Sequence, residues 1–314
     1  MSGASSPWGS RQTVLVIALL AVLAGFSIAT PRFRDPSVLL EQSANWVEIG
    51  ILAPFACLVI VAGGIDLSVG SILALCGVAM VRLHVEGGVP MGLAALIGLL
   101  LGTLAGAVNG LIIVGARIPD LVVTLATMAI FRGLAQAVAQ NRVYSNLPEP
   151  YRFLGEGLVL GIPVQWLVLA GTWILVFVIL HRSTLGRFLH AMGASHEAAR
   201  LARVPVRGAR IAAYALSGFA AAVAAVIFTA RMNTAKSDDA LGFELDAITC
   251  VVLGGASIRG GAGSAPGVFA GFLLLGLLRT GLDLSGVPEI HQRLATGAAL
   301  ILVAAVNERL ASRS

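Results

Sequence analysis

Long apolar runs alternate along the chain with short polar joints. Ten runs stand out, at residues 13–30, 46–62, 65–82, 90–115, 119–139, 158–180, 209–230, 243–257, 264–281 and 290–306. A helix needs ~20 apolar residues to cross a bilayer, and most of these runs approach that length. The pattern predicts an all-α polytopic membrane protein of about ten transmembrane or re-entrant helices. Glycine or proline inside several runs predicts broken helices. The sharpest interruption is Gly63-Gly64-Ile65-Asp66-Leu67-Ser68-Val69-Gly70-Ser71, one carboxylate wrapped in glycine and serine between two apolar runs. In the fourth run Gly98, Gly102, Gly106 and Gly110 recur every fourth residue. That spacing puts them on one helix face, where a second helix can approach closely. Gly267, Gly271 and Gly276 form a looser set in the ninth run.

The interruption has a partial echo. Leu58 to Ser71 reads LVIVAGGIDLSVGS, and Val251 to Ser264 reads VVLGGASIRGGAGS. Gly88-Val89-Pro90 recurs as Gly286-Val287-Pro288. Paired breaks of this kind suggest two related halves, an arrangement common in transporters.

Composition agrees with the pattern. Of 314 residues, 57% are hydrophobic and 12% charged, against about 25% charged in soluble domains. The net charge is +5, and Lys236 is the only lysine. Six arginines fall between residues 182 and 210 (Arg182, Arg187, Arg200, Arg203, Arg207 and Arg210). Such a concentration marks the cytoplasmic side under the positive-inside bias. If every run crosses, both termini are cytoplasmic. The expected organisation is a cytoplasmic N-terminal segment over 1–12, a transmembrane domain over 13–306 and a cytoplasmic tail over 307–314. The first run, which follows Arg11 and ends in Ser27-Ile28-Ala29, reads as a retained span rather than a cleaved leader. Cys57, Cys76 and Cys250 lie inside apolar runs and read as small buried hydrophobes. Nothing in the basic balance points to nucleic acid.

No catalytic constellation is present. The five histidines lie at run ends or in loops without metal-site spacing, and neither GxSxG nor HExxH occurs. A phosphate-binding loop would need glycines where Ala230 and Ala235 precede Lys236-Ser237. Any ATP use therefore falls to a partner. What remains is polarity inside the runs, where a charge costs ~2.5–3.5 kcal/mol on insertion scales. Asp66, Ser68, Asn109, Thr124, Thr127, Glu244, Asp246 and Ser257 are the candidates for a translocation pathway. Asn109, Thr124 and Thr127 suit a neutral hydroxylated solute or, equally, a tie between helices. Arg132 calls for a protein partner rather than lipid, and Glu48, beside Trp46, reads as interfacial. The polar stretch 181–210 predicts a short helix capped by Ser195, with Glu197 in its first turn, ended by Pro205.

Four blocks together resemble the permease subunits of bacterial ABC importers of the ribose/xylose type. They are Gly63 to Ser71, Ile118 to Met128, the loop from Gly193 to Val204, and Gly242 to Ser264. The resemblance covers roughly residues 45 to 306. It implies an inner-membrane permease that imports a sugar or sugar-like solute. That permease dimerises with a second copy or a sister permease, docks cytoplasmic ATPase subunits and receives its solute from a periplasmic binding protein. ATP would bind the partner, with no cofactor on this chain. Gly193, Ser195, Glu197, Ala198 and Ala199 would form the ATPase-docking region. Ser195 stands where the family often has Asn, and Arg203 where it often has Gly. The stretch from Asn233 to Asp246 resembles rhamnose-type permeases, with autoinducer-2-type permeases close. The residues alone leave open an ion-coupled secondary transporter using Asp66 or Asp246.

Overall fold

The computed structural model describes residues 7–288 together with 290–292, 294, 297 and 298. Thirteen α-helices run in order through them. They are α1 (Pro7–Ala29), α2 (Pro36–Ser43), α3 (Val47–Val61), α4 (Val69–Val85), α5 (Met91–Ala116), α6 (Asp120–Ala139), α7 (Glu149–Glu156), α8 (Val164–Arg182), α9 (Thr184–Ala194), α10 (His196–Leu201), α11 (Val206–Met232), α12 (Phe243–Leu253) and α13 (Ala265–Leu284). Six helical stretches are long and apolar enough to cross a membrane, running from α2 through α3 and then at α5, α6, α8, α11 and α13. The expected all-α polytopic architecture is met; among the described residues, these six stretches and the shorter apolar helices Thr13–Ala29 and Val69–Val85 stand beside the ten transmembrane or re-entrant helices expected. Run 65–82 becomes helical only at Val69, run 158–180 only at Val164, and run 243–257 yields an eleven-residue helix. At ~1.5 Å per residue such a helix spans about half a bilayer. Run 290–306 lies mostly outside the described residues, as do residues 1–6 and the tail.

Polar contacts sort the joints into two ends. At the first, Arg231 pairs with Glu48 at 3.0 Å, Arg82 donates to the Val138 carbonyl, and Trp166 donates to Ser43. There too a two-residue antiparallel ladder joins Tyr144–Ser145 to Thr234–Ala235. Glu86 collects Arg82, Arg142 and Tyr144 at this end, and those hydrogen bonds, from Arg82 first, hold its carboxyl below the usual range. At the second end, residues 182–210 meet the joints after α3, α5 and α12. The six arginines of the 182–210 loop thus sit with Arg117 and Arg259 on one side of the molecule.

All fifteen residues of α3 are buried. That placement explains its uninterrupted apolar sequence, since a helix apolar on every face belongs inside a bundle. Glu48 is the exception, fully buried, with Oε1 paired to Arg231 and Oε2 left without a partner. It forms a buried ion pair at the first end of the bundle, a pairing hidden by its sequence separation of 183 residues. The four-residue glycine spacing also acts as expected. A Cβ on Gly102 would meet the Gly218 carbonyl at 2.6 Å, one on Gly110 would meet the Ile211 Cα at 2.8 Å, and one on Gly106 would overlap the Tyr214 carbonyl. Helices α5 and α11 therefore touch backbone to backbone. Within lipid, dispersion and close packing rather than water exclusion hold such pairs. The far sides of α5 and α6 stay apolar and exposed, at Leu100, Leu104, Leu111, Val122 and Ile130 among others.

Candidate functional site

The chain breaks twice, and the two breaks share one construction. After α3, Gly63 takes φ +82°, its N–H bonds the Ile60 carbonyl and that of Gly64 bonds the Val59 carbonyl. After α12, Gly255 takes φ +83°, its N–H bonds the Val252 carbonyl and that of Ala256 bonds the Val251 carbonyl. Each is a left-handed glycine stop that satisfies the last carbonyls of its helix. The echo is real, but its register is shifted by one residue. Gly63 matches Gly255, whereas aligning the two segments from their first residues opposes Gly63 to Ala256. The Gly-Ser pairs do not correspond either, because Ser264 caps α13 while Ser71 lies inside α4.

The breaks meet each other and the last turn of α9, just before α10. Gly261 N–H donates to the Val61 carbonyl at 2.9 Å. A Cβ on Gly260 would lie 2.8 Å from the Gly63 Cα and 3.1 Å from that of Gly193. One on Gly261 would lie 2.8 Å from the Ala194 Cα, and one on Gly193 would overlap the Val61 carbonyl. Three backbones therefore stack without side chains between them. His190 Nε2 on α9 lies 3.2 Å from the Gly263 carbonyl, and His181 Nε2 on α8 accepts from Ala265 N–H. Beyond Gly193, Ser195 caps α10 by accepting from Ala198 N–H, Ala199 packs inward, and Glu197 and Ala198 stay exposed. The single helix expected between Ser195 and Pro205 closes early, at Leu201, and the preceding helix α9 has no cue in the apolar pattern.

From Gly64 the chain runs extended into the bundle, and the polar residues of the first block hold it there. Asp66, 5% exposed, accepts from Ser68 N–H (2.9 Å), Ser68 Oγ (2.6 Å) and Ser217 Oγ (2.8 Å). Asn109 Nδ2 donates to Ser68 Oγ. Thr124 Oγ1 lies within hydrogen-bond distance of the Ile65 and Asp120 carbonyls, and Thr127 bonds the Thr124 carbonyl. Tyr214 donates to Asp120 at 2.7 Å. Asp66, Ser68, Asn109, Thr124 and Thr127 thus form one buried cluster whose partners are backbone, Ser217 and one another, with Asn109 Oδ1 left without a partner. Irregular backbone at membrane depth needs this enclosure.

The remaining candidates lie elsewhere. Arg132 on α6 donates to the Ser237 and Asp239 carbonyls, which draws the loop before α12 against that helix. Glu244, in the first turn of α12, lies against Gly70 in the first turn of α4, so the two short helices begin side by side. Asp246 pairs with Arg279 of α13. That ion pair borders a cavity of about 530 Å³ near the Trp46 end, where Asn45, Trp46, Thr249 and Thr280 also line the wall. Arg279 is absent from the sequence-based set, and its position in the ninth apolar run was the cue available. Ser257 sits apart, in the second break, donating its N–H to the Ala262 carbonyl.

Comparison with known proteins meets this architecture of paired breaks. The model of the family described as "Branched-chain amino acid transport system / permease component" matches residues 40–304. The chain belongs to this family. The autoinducer 2 import system permease protein LsrD of Escherichia coli strain K12 is 37% identical over 298 residues, 93% of this chain and 90% of the relative. LsrD of Shigella flexneri matches equally, and that of E. coli O157:H7 is 36% identical over the same span. No solved structure matches the chain. The chain is thus a multi-pass transmembrane permease subunit of an ATP-binding-cassette importer of the sugar type, as the four blocks implied.

Proposed function

We propose that this permease carries a small hydroxylated, sugar-like solute, of the rhamnose or autoinducer-2 kind, and is driven through residues 193–199 by a cytoplasmic ATPase. The stacking of Gly193 on both broken helices carries the reading. A partner engaging the exposed Glu197 and Ala198 displaces Gly193 and Ala194, and these touch Val61, Gly260 and Gly261 without an intervening side chain. The end bearing the six arginines then faces the cytoplasm, and the Trp46 end faces a periplasmic binding protein. A second permease copy or a sister permease would complete the path.

The cavity supports the solute class. Of the three charged residues lining it, Asp246 and Arg279 pair with each other and Asp283 stands beside them. The groups left to a ligand are the Asp283 carboxylate, the amides of Gln42 and Asn45 and the hydroxyls of Thr249 and Thr280 beside the Trp46 indole, a lining that suits hydroxyls. An ion-coupled mechanism is less well served, because Asp66 already accepts three hydrogen bonds and Asp246 is paired.

Uptake of labelled solute into vesicles, with and without the co-purified ATPase, tests the reading. Expected is uptake that requires ATP and the ATPase and survives an uncoupler at constant ATP. Uptake without the ATPase, or its collapse under uncoupler, would overturn it. Asp246→Asn and Arg279→Gln should each lower uptake about 10-fold or more, the effect of leaving one charge of a part-buried pair alone.

A further inference from the structure

We infer that the arginine-lined pocket beside α10 is a binding site for the headgroup of an anionic phospholipid. The pocket, about 810 Å³, lies between the α5–α6 joint, α10 and the start of α11. Arg117, Arg200, Arg207 and Arg210 line it. The single carboxylate there, Asp120, already accepts from Tyr214 and lies 3.7 Å from Arg210. Arg210 Nε is buried without a partner. Two long helices, α6 and α11, begin at the pocket, each preceded by a proline that offers no side-chain cap. The dipoles of these helix N-termini add positive potential to the four guanidiniums. Arg117 is held at φ +57°, a left-handed conformation that costs a non-glycine residue energy and that fixed surroundings must maintain.

The surroundings select a lipid among anions. Ile118 lines the pocket and is exposed, and the exposed side chains Leu121, Val122 and Leu125 continue from it along α6. A phosphate seated among the arginines would lay its acyl chains against that face. Basic pockets at the cytoplasmic ends of transmembrane helices favour such headgroups. The docking face is left free, because His196 and Arg200 share the pocket flank of α10 while Glu197 and Ala198 turn about 100–200° away. The inference depends on the chain lying in a bilayer and not on the solute or the ATPase assigned to it.

Thermal unfolding of the full-length permease in neutral detergent reads the site. Palmitoyl-oleoyl phosphatidylglycerol should raise the midpoint by about 4 °C, while phosphatidylcholine with the same chains and inorganic phosphate at equal concentration should not. Arg117→Gln/Arg207→Gln should abolish the shift, and Arg152→Gln, far from the pocket, should keep it. An equal shift with phosphatidylcholine or phosphate, or a shift that survives the double variant, overturns the inference. A double variant that keeps the shift but loses co-purification with the ATPase assigns the pocket to an acidic protein surface instead. Should the double variant fail to purify, a phosphatidylglycerol carrying a headgroup photocrosslinker decides on the native chain. Adducts confined to residues 113–120 and 196–210 support the site, and adducts spread over all joints overturn it.

Discussion

Two buried carboxylates, Asp66 and Glu48, show how differently a charge is kept inside this protein. Asp66 is held by three hydrogen bonds from hydroxyl and backbone, Glu48 by one guanidinium. Asp66→Ala orphans three donors and should destabilise the permease by about 2–3 kcal/mol, the cost of unsatisfied buried groups. Asp66→Asn should cost only about 1 kcal/mol, because the Ser217 hydroxyl can rotate to accept from the new amide. Glu48→Gln strands Arg231, 16% exposed, and should cost about 3 kcal/mol. Melting curves of the purified variants rank the three; a neutral Glu48→Gln would remove its ion pair from the core. The carboxylate of the first block was legible in the sequence, because glycine and serine surround it on the chain itself. Glu48 and Asp246 were not, because their cations stand 183 and 33 residues away and no local pattern names them.

The elements owe their packing to where side chains are missing. Gly106 and Gly218 let α5 and α11 touch, and the four-residue spacing announced this contact because helical periodicity maps spacing onto a face. Gly106→Val should lower folded yield or melt the pair early, while Gly115→Val on the same helix, with open space around it, should behave as native. Fluorescence-detected size exclusion compares them. Short helices were harder to read. The apolar pattern reports burial but not depth, so an eleven-residue helix in the middle of the bundle and a full span look alike in composition. Run 243–257 therefore reads as a crossing, although α12 stops at Leu253. The helix α9 escaped for the opposite reason, since its polar surface hides it from an apolar count.

For the whole molecule, the meeting of two breaks with the last turn of α9 ties the docking region to the interior. Gly193→Ala should uncouple or unfold the permease, because its Cβ has no room beside the Val61 carbonyl, whereas Gly208→Ala, with nothing near, should leave ATP-driven uptake unchanged. Glu197→Lys should lower uptake at least several-fold without shifting the melting temperature, since Glu197 is exposed. Equal uptake by Gly193→Ala and native protein would dismiss the joint as a coupling point. The apolar pattern and the four blocks carried the class of the molecule; the meeting of the breaks did not show, because spatial coincidence of two loops leaves no periodicity.

A joint made only of backbone has no slack. Side chains can change rotamer and absorb a push, but stacked peptide units cannot, so α4 and α12 inherit the displacement of the docking loop in the same stroke. Within one subunit there is then no sequence of gates to time. Fluorophores placed near the starts of α4 and α12 should report a single time constant after ATP addition, and two well-separated constants would mean that the joint parts during the cycle.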